Sequence, residues 1–366
     1  MKKNKWNNYA MAAVGALWLV LAITAWLRPA DAASDSERRE LAQFPDISSE
    51  KLLDGSFMMD FEDYTLDQFP LRDGFRKLKA GVHYYVLGQR DNNGIYLSDG
   101  YAAKLEYPLN EKSLTHALQV FDNLRQKYLK DSKIYAAVVP DKNYYLAEKL
   151  EYPSMDYSKL MQAVQQGMPY AEHVDLTDRL SIEDYYHTDT HWRQERLLAA
   201  AQKLCDVLGV NAPKAEDYRP VKAEKPFYGV YYGQAALPME PDELYILESD
   251  LLKACKVFNY ETNKYTDIYD LQKLEGKDLY EVYLSGPVSL LRIENPNATT
   301  DKELIVFRDS FGSSMIPLLA QGYKTITLVD VRYISSQMLD RFIDFHGQDV
   351  LFLYSTLVLN NSFMLK

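Results

Sequence analysis

Three runs of apolar, largely β-branched and aromatic residues, Leu304 to Phe307, Thr325 to Val331 and Asp349 to Tyr354, are separated by helical spacing around Ser314 to Ala320 and from Ser335 to Phe345. Strands that are apolar throughout, rather than at alternate positions, belong to sheets covered on both faces. Parallel neighbours need a long crossover between them, usually a helix, and that crossover is right-handed. The pattern therefore restricts the chain to an α/β fold with a doubly wound parallel sheet. Ile134 to Val139, ending at Pro140, is a further strand of this kind. Helices are expected over Leu114 to Leu129 and Tyr157 to Gln166, and most clearly over Trp192 to Leu208. There Leu197, Leu198, Ala200, Ala201, Leu204 and Leu208 form an apolar side and Gly209 follows the end. Ligands of such sheets gather beyond the carboxyl ends of the strands.

Ahead of this domain stands a segment of another kind. Lys2, Lys3 and Lys5 precede an uncharged apolar run from Ala10 to Leu27, about 18 residues and so near the lower limit for a membrane-spanning helix. Lysines on the short side hold the N-terminus in the cytoplasm and send the remainder outward. Trp6 and Tyr9 at one end and Trp26 at the other suit the two headgroup layers. Ala30-Asp31-Ala32 also offers a small-x-small cleavage pattern, so two readings stay open. One is a single-pass anchor in a bacterial cell membrane with the main domain outside; the other is secretion after cleavage near residues 30–32. The expected organisation is a membrane anchor or signal segment over 1–30, a helical lead-in over 31–90, and an α/β domain over 91–366. In the lead-in, Ser34-Asp35-Ser36-Glu37 begins the exported part, helices are expected from Lys51 to Ala80 with a break at Phe69 to Asp73, and a second one over Gly74 to Leu87. Asn92-Asn93-Gly94 and Asp99-Gly100 predict a strand-turn-strand. A Tyr-rich insert at about 210–300 is read as β-rich, with strands at Leu244 to Leu247, Cys255 to Asn259 and Tyr280 to Leu284 lying beside or on top of the sheet.

The formal charge of −11, with no basic cluster after the N-terminus, argues against a nucleic-acid partner. Two cysteines, Cys205 and Cys255, cannot build a tetrathiolate zinc site. They leave one disulfide or two buried thiols open. Twenty-nine tyrosines suit sugar-stacking surfaces and sheet cores alike.

Two segments carry residues with chemical potential. In Tyr185-Tyr186-His187-Thr188-Asp189-Thr190-His191-Trp192, Asp189 stands two residues before His191, close enough to orient an imidazole and stabilise its cation. In Ile305-Val306-Phe307-Arg308-Asp309-Ser310-Phe311-Gly312, a strand runs into a small-residue turn and a helix. That lifts Ser310 off the strand end beside free helix N-terminal N–H groups, as an acyl-transfer nucleophile requires. The N–H groups of Ser310 itself and of Phe311 or Gly312 are the candidate oxyanion donors. Gly312 would admit a close approach of substrate. Arg308 and Arg332 are candidate substrate or oxyanion neighbours, and Tyr186 a candidate cleft residue. Ordinary helix capping by Ser310 and Asp189, and ion pairing by both arginines, compete with these roles. His187, Asp189 and His191 alternate as metal ligands can, but no Cys or His cluster joins them, so neither a metal nor another cofactor is expected.

At these segments the chain resembles the bacterial DHHW family and its relatives, the SGNH-hydrolase-like proteins of alginate O-acetylation. The resemblance lies in Phe69-Pro70-Leu71-Arg72-Asp73, Asn93-Gly94-Ile95-Tyr96, Val139-Pro140-Asp141-Lys142, Asp189-Thr190-His191-Trp192 and Arg308-Asp309-Ser310-Phe311-Gly312. It implies an SGNH-hydrolase-like fold and an Asp-His-Ser triad of Asp189, His191 and Ser310. Thr190 replaces the first histidine of the pair that names the family; the histidine assigned to the triad is retained. The implied activity is acyl, in particular acetyl, transfer to or from a surface or secreted polysaccharide, by an O-acetyltransferase or acetylesterase. A membrane-bound acyltransferase is the implied partner. The alternative of another class is a non-catalytic glycan-binding or scaffold protein of the cell envelope.

Overall fold

The computed structural model describes residues 5–34 and 36–366. Lys2, Lys3 and Asp35, used above for orientation and for the start of the exported part, lie outside them. Two compact units result, Met1–Asn93 with Tyr232–Pro238, and Gly94–Tyr231 with Met239–Lys366.

The smaller unit is helical. Lys5–Leu27 is one helix, of which Trp6–Leu27 is long and apolar enough to cross a membrane and has none of its most apolar window buried. A short hairpin pairs Ala33–Ser34 with Arg39–Glu40. Helices follow at Ser49–Leu53, Ser56–Asp67 and Arg72–Gly81, the last continuing as a wider π-turn over Val82–Val86. The break at Phe69 to Asp73 comes with Leu71 in the left-handed region, φ 59°, which an α-helix cannot absorb.

The larger unit is α/β around an eight-stranded sheet. In chain order its strands are β1 Ile134–Val139, β2 Glu172–Val174, β3 Lys256–Asn259, β4 Lys264–Thr266, β5 Leu290–Glu294, β6 Glu303–Arg308, β7 Thr325–Val329 and β8 Asp349–Ser355. They lie in the order β4-β3-β5-β7-β6-β8-β1-β2. β7, β6, β8, β1 and β2 are mutually parallel, while β5, β3 and β4 continue the sheet antiparallel. Period-two side-chain alternation divides two cores between the faces. Tyr135, Ala137, Val306, Leu328, Leu351 and Leu353 meet the helix Leu198–Leu208 and the segment after Ser310. Ile134, Ala136, Ile305, Phe307, Val350 and Phe352 meet the helices Glu111–Tyr128 and Tyr157–Gly167. Both faces being covered explains why β1, β6 and β8 are apolar on both sides over most of their length; each buried Leu, Ile or Val contributes roughly 1.5–3 kcal/mol.

Several boundaries differ from expectation. Cys255 to Asn259 lies beside the sheet, not on top of it: Lys256–Asn259 pairs with β5. Of the strands expected in the insert, Tyr245–Glu248, paired with Arg219–Lys222, forms a separate ribbon. Tyr280 to Leu284 is a 3-10 turn, Leu279–Val282, and Ser335 to Phe345 contains a 3-10 turn at Ser336–Arg341 in place of a helix. The helix expected from Trp192 begins at Leu198, because Gln194 is drawn into tertiary hydrogen bonds. Both cysteines are buried free thiols.

Candidate active site

Three parallel strands end at one rim, and each end is tied to the next. Asp309, just beyond β6, accepts the Ser355 N–H at the end of β8 at 2.7 Å and the Phe311 N–H at 3.0 Å. Thr356, after β8, donates its hydroxyl to Asp141 beyond β1 at 2.6 Å. Pro140, at the end of β1, accepts the Tyr185 hydroxyl at 2.6 Å. This last bond brings the segment Tyr185 to Trp192 to the rim. A single antiparallel bridge joins Tyr185 to Trp192, and the Tyr186 N–H donates to the His191 carbonyl at 3.1 Å, so residues 187–190 form the turn.

Within that turn His191 Nδ1 lies 2.6 Å from Asp189 Oδ1, and Nε2 lies 2.7 Å from Ser310 Oγ. Two segments 119 residues apart are thus joined through one imidazole. The Asp189 carboxylate is buried and also accepts the N–H groups of His191 at 3.0 Å and Val230 at 2.8 Å. A carboxylate so held fixes the orientation of the ring. Gly229 is required here: a Cβ would stand 2.3 Å from the Asp189 Cα. The His191 side chain keeps 12% exposure. The Tyr280 ring stacks on it at 3.9 Å with 7° between planes, and the Tyr280 hydroxyl bonds the Ser314 hydroxyl at 2.8 Å.

The turn is gripped by two buried charges. Asp242 accepts four hydrogen bonds: from the His187 N–H at 2.7 Å, the Thr188 N–H at 2.7 Å, the Thr188 hydroxyl at 2.6 Å and His187 Nδ1 at 3.0 Å. Burial pushes the Asp242 carboxyl up, but these donors outweigh it and hold it below the ordinary value. From the other side Lys142 Nζ donates to the carbonyls of Tyr186 at 2.9 Å and His187 at 3.1 Å. Burial pushes the Lys142 ammonium down to about 7, against the opposing pull of Asp189, Asp242 and Asp141. Asp242 lies in the Tyr-rich stretch with no motif around it, whereas Lys142 ends the Val139-Pro140-Asp141-Lys142 segment that carries part of the resemblance. Polar neighbours, Asp141 and Asn143 beside Lys142 and Glu240 and Glu243 beside Asp242, hide the burial of both from the sequence.

The other expected neighbours are placed differently. Phe311 N–H is engaged by Asp309 Oδ1, and Gly312 N–H by the Asp309 carbonyl at 3.1 Å. Of the three candidate donors, the Ser310 N–H alone has no partner among the described residues. Gly312 makes room for protein, not substrate, since a Cβ would lie 2.9 Å from the Arg308 Cβ. Arg308 is buried, bonded to Ser313 Oγ at 3.2 Å and 3.7 Å from Asp330. Arg332 holds the same Asp330 through two bonds, of 2.8 and 2.6 Å. Both arginines therefore serve a buried carboxylate beyond β7. Tyr186 is wholly buried against Phe227 and lines no cleft. His187 turns toward Asp242 and stacks on Tyr101 at 4.1 Å, away from any ligand role shared with Asp189. No group of His, Cys, Asp and Glu suited to a metal occurs among the described residues.

The fold recurs in solved structures. A DHHW family protein from Eubacterium siraeum is 20% identical, with a TM-score of 0.60 over 74% of this chain and 93% of the other. Bacillus cereus PatB1 with a sulfonyl adduct is 19% identical, with a TM-score of 0.57 over 72% and 95%. The O-acetyltransferase domain of Pseudomonas putida AlgJ, 15% identical over 73% and 92%, is a fainter likeness at a TM-score of 0.45. No curated protein matches the chain in sequence. The family model described as DHHW protein matches residues 154–329, a stretch that holds Asp189, His191 and Ser310, and over that stretch the chain is similar to the DHHW family.

Proposed function

We propose that the chain transfers an acyl group, acetyl in the first instance, to or from a polysaccharide outside the cell membrane, with Ser310 as nucleophile, His191 as general base and Asp189 as the carboxylate that orients it. The observation that carries this reading is the continuous relay of 2.6 and 2.7 Å from Asp189 through His191 to Ser310. Capping alone gives no reason for an imidazole between the two side chains.

In the proposed cycle His191 Nε2 takes the Ser310 Oγ proton as Oγ attacks the acyl carbonyl carbon. The Ser310 N–H donates to the developing oxyanion. Collapse breaks the bond to the donor's alcohol oxygen, which leaves with the proton held by His191. A sugar hydroxyl then attacks the acyl-serine, giving up its proton to His191; the bond from the acyl carbon to Ser310 Oγ breaks, Oγ takes that proton back from His191, and the ester stands on the acceptor. With water in that place the outcome is de-esterification. Asp189 and the stacked Tyr280 face stabilise the imidazolium between the steps.

The acetyl and polysaccharide assignments follow the resemblance to the alginate O-acetylation proteins, and with them a membrane-bound acyltransferase as donor-side partner. The apolar helix Trp6–Leu27 supports a membrane-anchored location. The test is acetate release from an aryl acetate together with labelling by an aryl sulfonyl fluoride, a reagent for activated serines. Wild type should release acetate and carry the label on Ser310, and Ser310→Ala should do neither. A label on another residue, or equal release by both proteins, defeats the nucleophile assignment. Absence of labelling in wild type favours the glycan-binding alternative.

A further inference from the structure

The helix Arg72–Gly81 and its continuation Val82–Val86 are built inside out. At about 100° per residue, Leu71, Phe75, Leu78, Val82, Tyr85 and Val86 share one stripe, and in a water-soluble domain such a stripe faces the core. Here it faces outward: Leu71 is 72% exposed, Leu78 63% and Val86 74%. The inward face carries charge. Arg72 meets Glu37 at 2.5 Å and Asp67 at 3.4 Å, Arg76 meets Glu37 at 3.3 Å, and Ala80 is completely buried. The helix Ser56–Asp67 adds exposed Met58, Met59 and Leu66. Contiguous apolar surface of this kind marks a docking face, not the scattered exposure of ordinary surfaces.

Its surroundings identify what it meets. The Phe69 ring lies 6.5 Å from Trp18 and 5.5 Å from Phe75. Trp18 sits well inside the 22-residue apolar helix Trp6–Leu27, not at its end. The stripe therefore stands alongside that helix, and a bilayer that takes up the helix reaches the stripe as well. Exposed Lys77 and Lys79 border it, with aliphatic stems long enough to carry their ammonium groups toward the headgroups. A groove on a protein partner would need no such alignment with a membrane-spanning segment.

We infer that Arg72 to Val86 is a lipid-facing helix, its apolar stripe turned to the acyl chains of the leaflet that surrounds Trp18. The chain is then held by two elements, one spanning and one set against the acyl chains beside it, and the second restricts tilting and rotation about the first. The inference rests on Trp6–Leu27 being inserted, which the same experiment measures.

The test uses the full chain reconstituted in phosphatidylcholine–phosphatidylglycerol vesicles, with a nitroxide attached at Leu78→Cys, Val86→Cys, Lys79→Cys or Val14→Cys. The unsubstituted chain supplies the background from the two buried native thiols. Collision with oxygen, which enriches in lipid, is compared with collision with a water-soluble nickel chelate. The stripe positions should show an oxygen-to-chelate ratio several-fold above that at Lys79→Cys and on the same side as Val14→Cys. If Val14→Cys reads as lipid while both stripe positions read as water, the lipid-facing helix is refuted and the spanning helix stands. If all four read as water, both fall. Stripe nitroxides closed to both reagents would mean that a second copy covers the face, which also overturns the proposal.

Discussion

The turn that carries Ser310 hangs from the end of a central strand, whereas the turn that carries Asp189 and His191 continues no strand of the sheet and reaches its rim through the Tyr185–Pro140 bond. The first is secured by a carboxylate of its own, Asp309, which engages a neighbour two residues on and the adjoining strand end. The second is secured by charges from elsewhere: Asp242, 54 residues after Thr188, and Lys142, 44 residues before Tyr186. One half of the candidate site is thus placed by local geometry plus a sheet, and the other by two buried ions that must arrive from different parts of the chain. A buried ion with all its hydrogen bonds fixes one conformation tightly, and a missing partner leaves its counterpart in low dielectric at considerable cost.

The first way to probe this contrast is the reactive atom itself. Ser310→Ala should lower aryl acetate turnover by about 10⁵- to 10⁶-fold with the melting temperature unchanged; retained turnover would remove the strand-borne half of the site. Asp189→Asn should lower kcat by roughly 10⁴-fold through the wrong imidazole tautomer, again with folding intact. A collapse of the thermal transition without a separable kinetic effect would make Asp189 a capping residue. Asp242→Asn is the most direct test of the gripped turn. It keeps shape but loses acceptors, so kcat should fall by about 10²-fold as the base shifts, while labelling of Ser310 slows and KM changes little. A loss confined to stability, with normal kcat at low temperature, would deny Asp242 a positioning role.

Lys142 yields a pH signature. With its folded value near 7 and its ordinary value of 10.5, the folded chain binds fewer protons than the unfolded chain across that window, so this group makes stability rise as pH increases from about 7. Lys142→Met should flatten that rise in denaturant titrations; an unchanged slope would show that the ammonium is not the group responsible. A neutral amine still has protons for the carbonyls of Tyr186 and His187, so the grip itself should persist above neutrality. The smallest change belongs to Tyr280→Phe. It keeps the ring on His191 and removes the bond to Ser314, for about 0.5–1.5 kcal/mol of stability and only a few-fold effect on kcat. A loss as large as that of Asp189→Asn would mean that the hydroxyl, not the ring face, matters.

The helices invite the same kind of contrast. Glu111–Tyr128 turns Leu114, Ala117, Phe121 and Leu124 into the core, as its spacing announces. Arg72–Gly81 has an equally clear period and turns it outward. Periodicity reveals a stripe but not which way it faces, because the medium on each side is a property of the assembled surroundings.

Read from the sequence alone, the α/β class, the apolar N-terminal helix, β1, β6, β7 and β8, and the two segments holding Asp189, His191 and Ser310 were all legible. Each rests on a local signal, such as a continuous apolar run, a helical period or a strand-turn-helix junction. Tertiary structure alone decided the rest. Whether Cys255 to Asn259 joins the sheet, whether Phe311 N–H is free or taken by Asp309, and which distant carboxylate holds the 187–190 turn all depend on pairings across many residues. Hydrogen-bond partners compete for the same few donors and acceptors, and only the folded arrangement settles which of them meet.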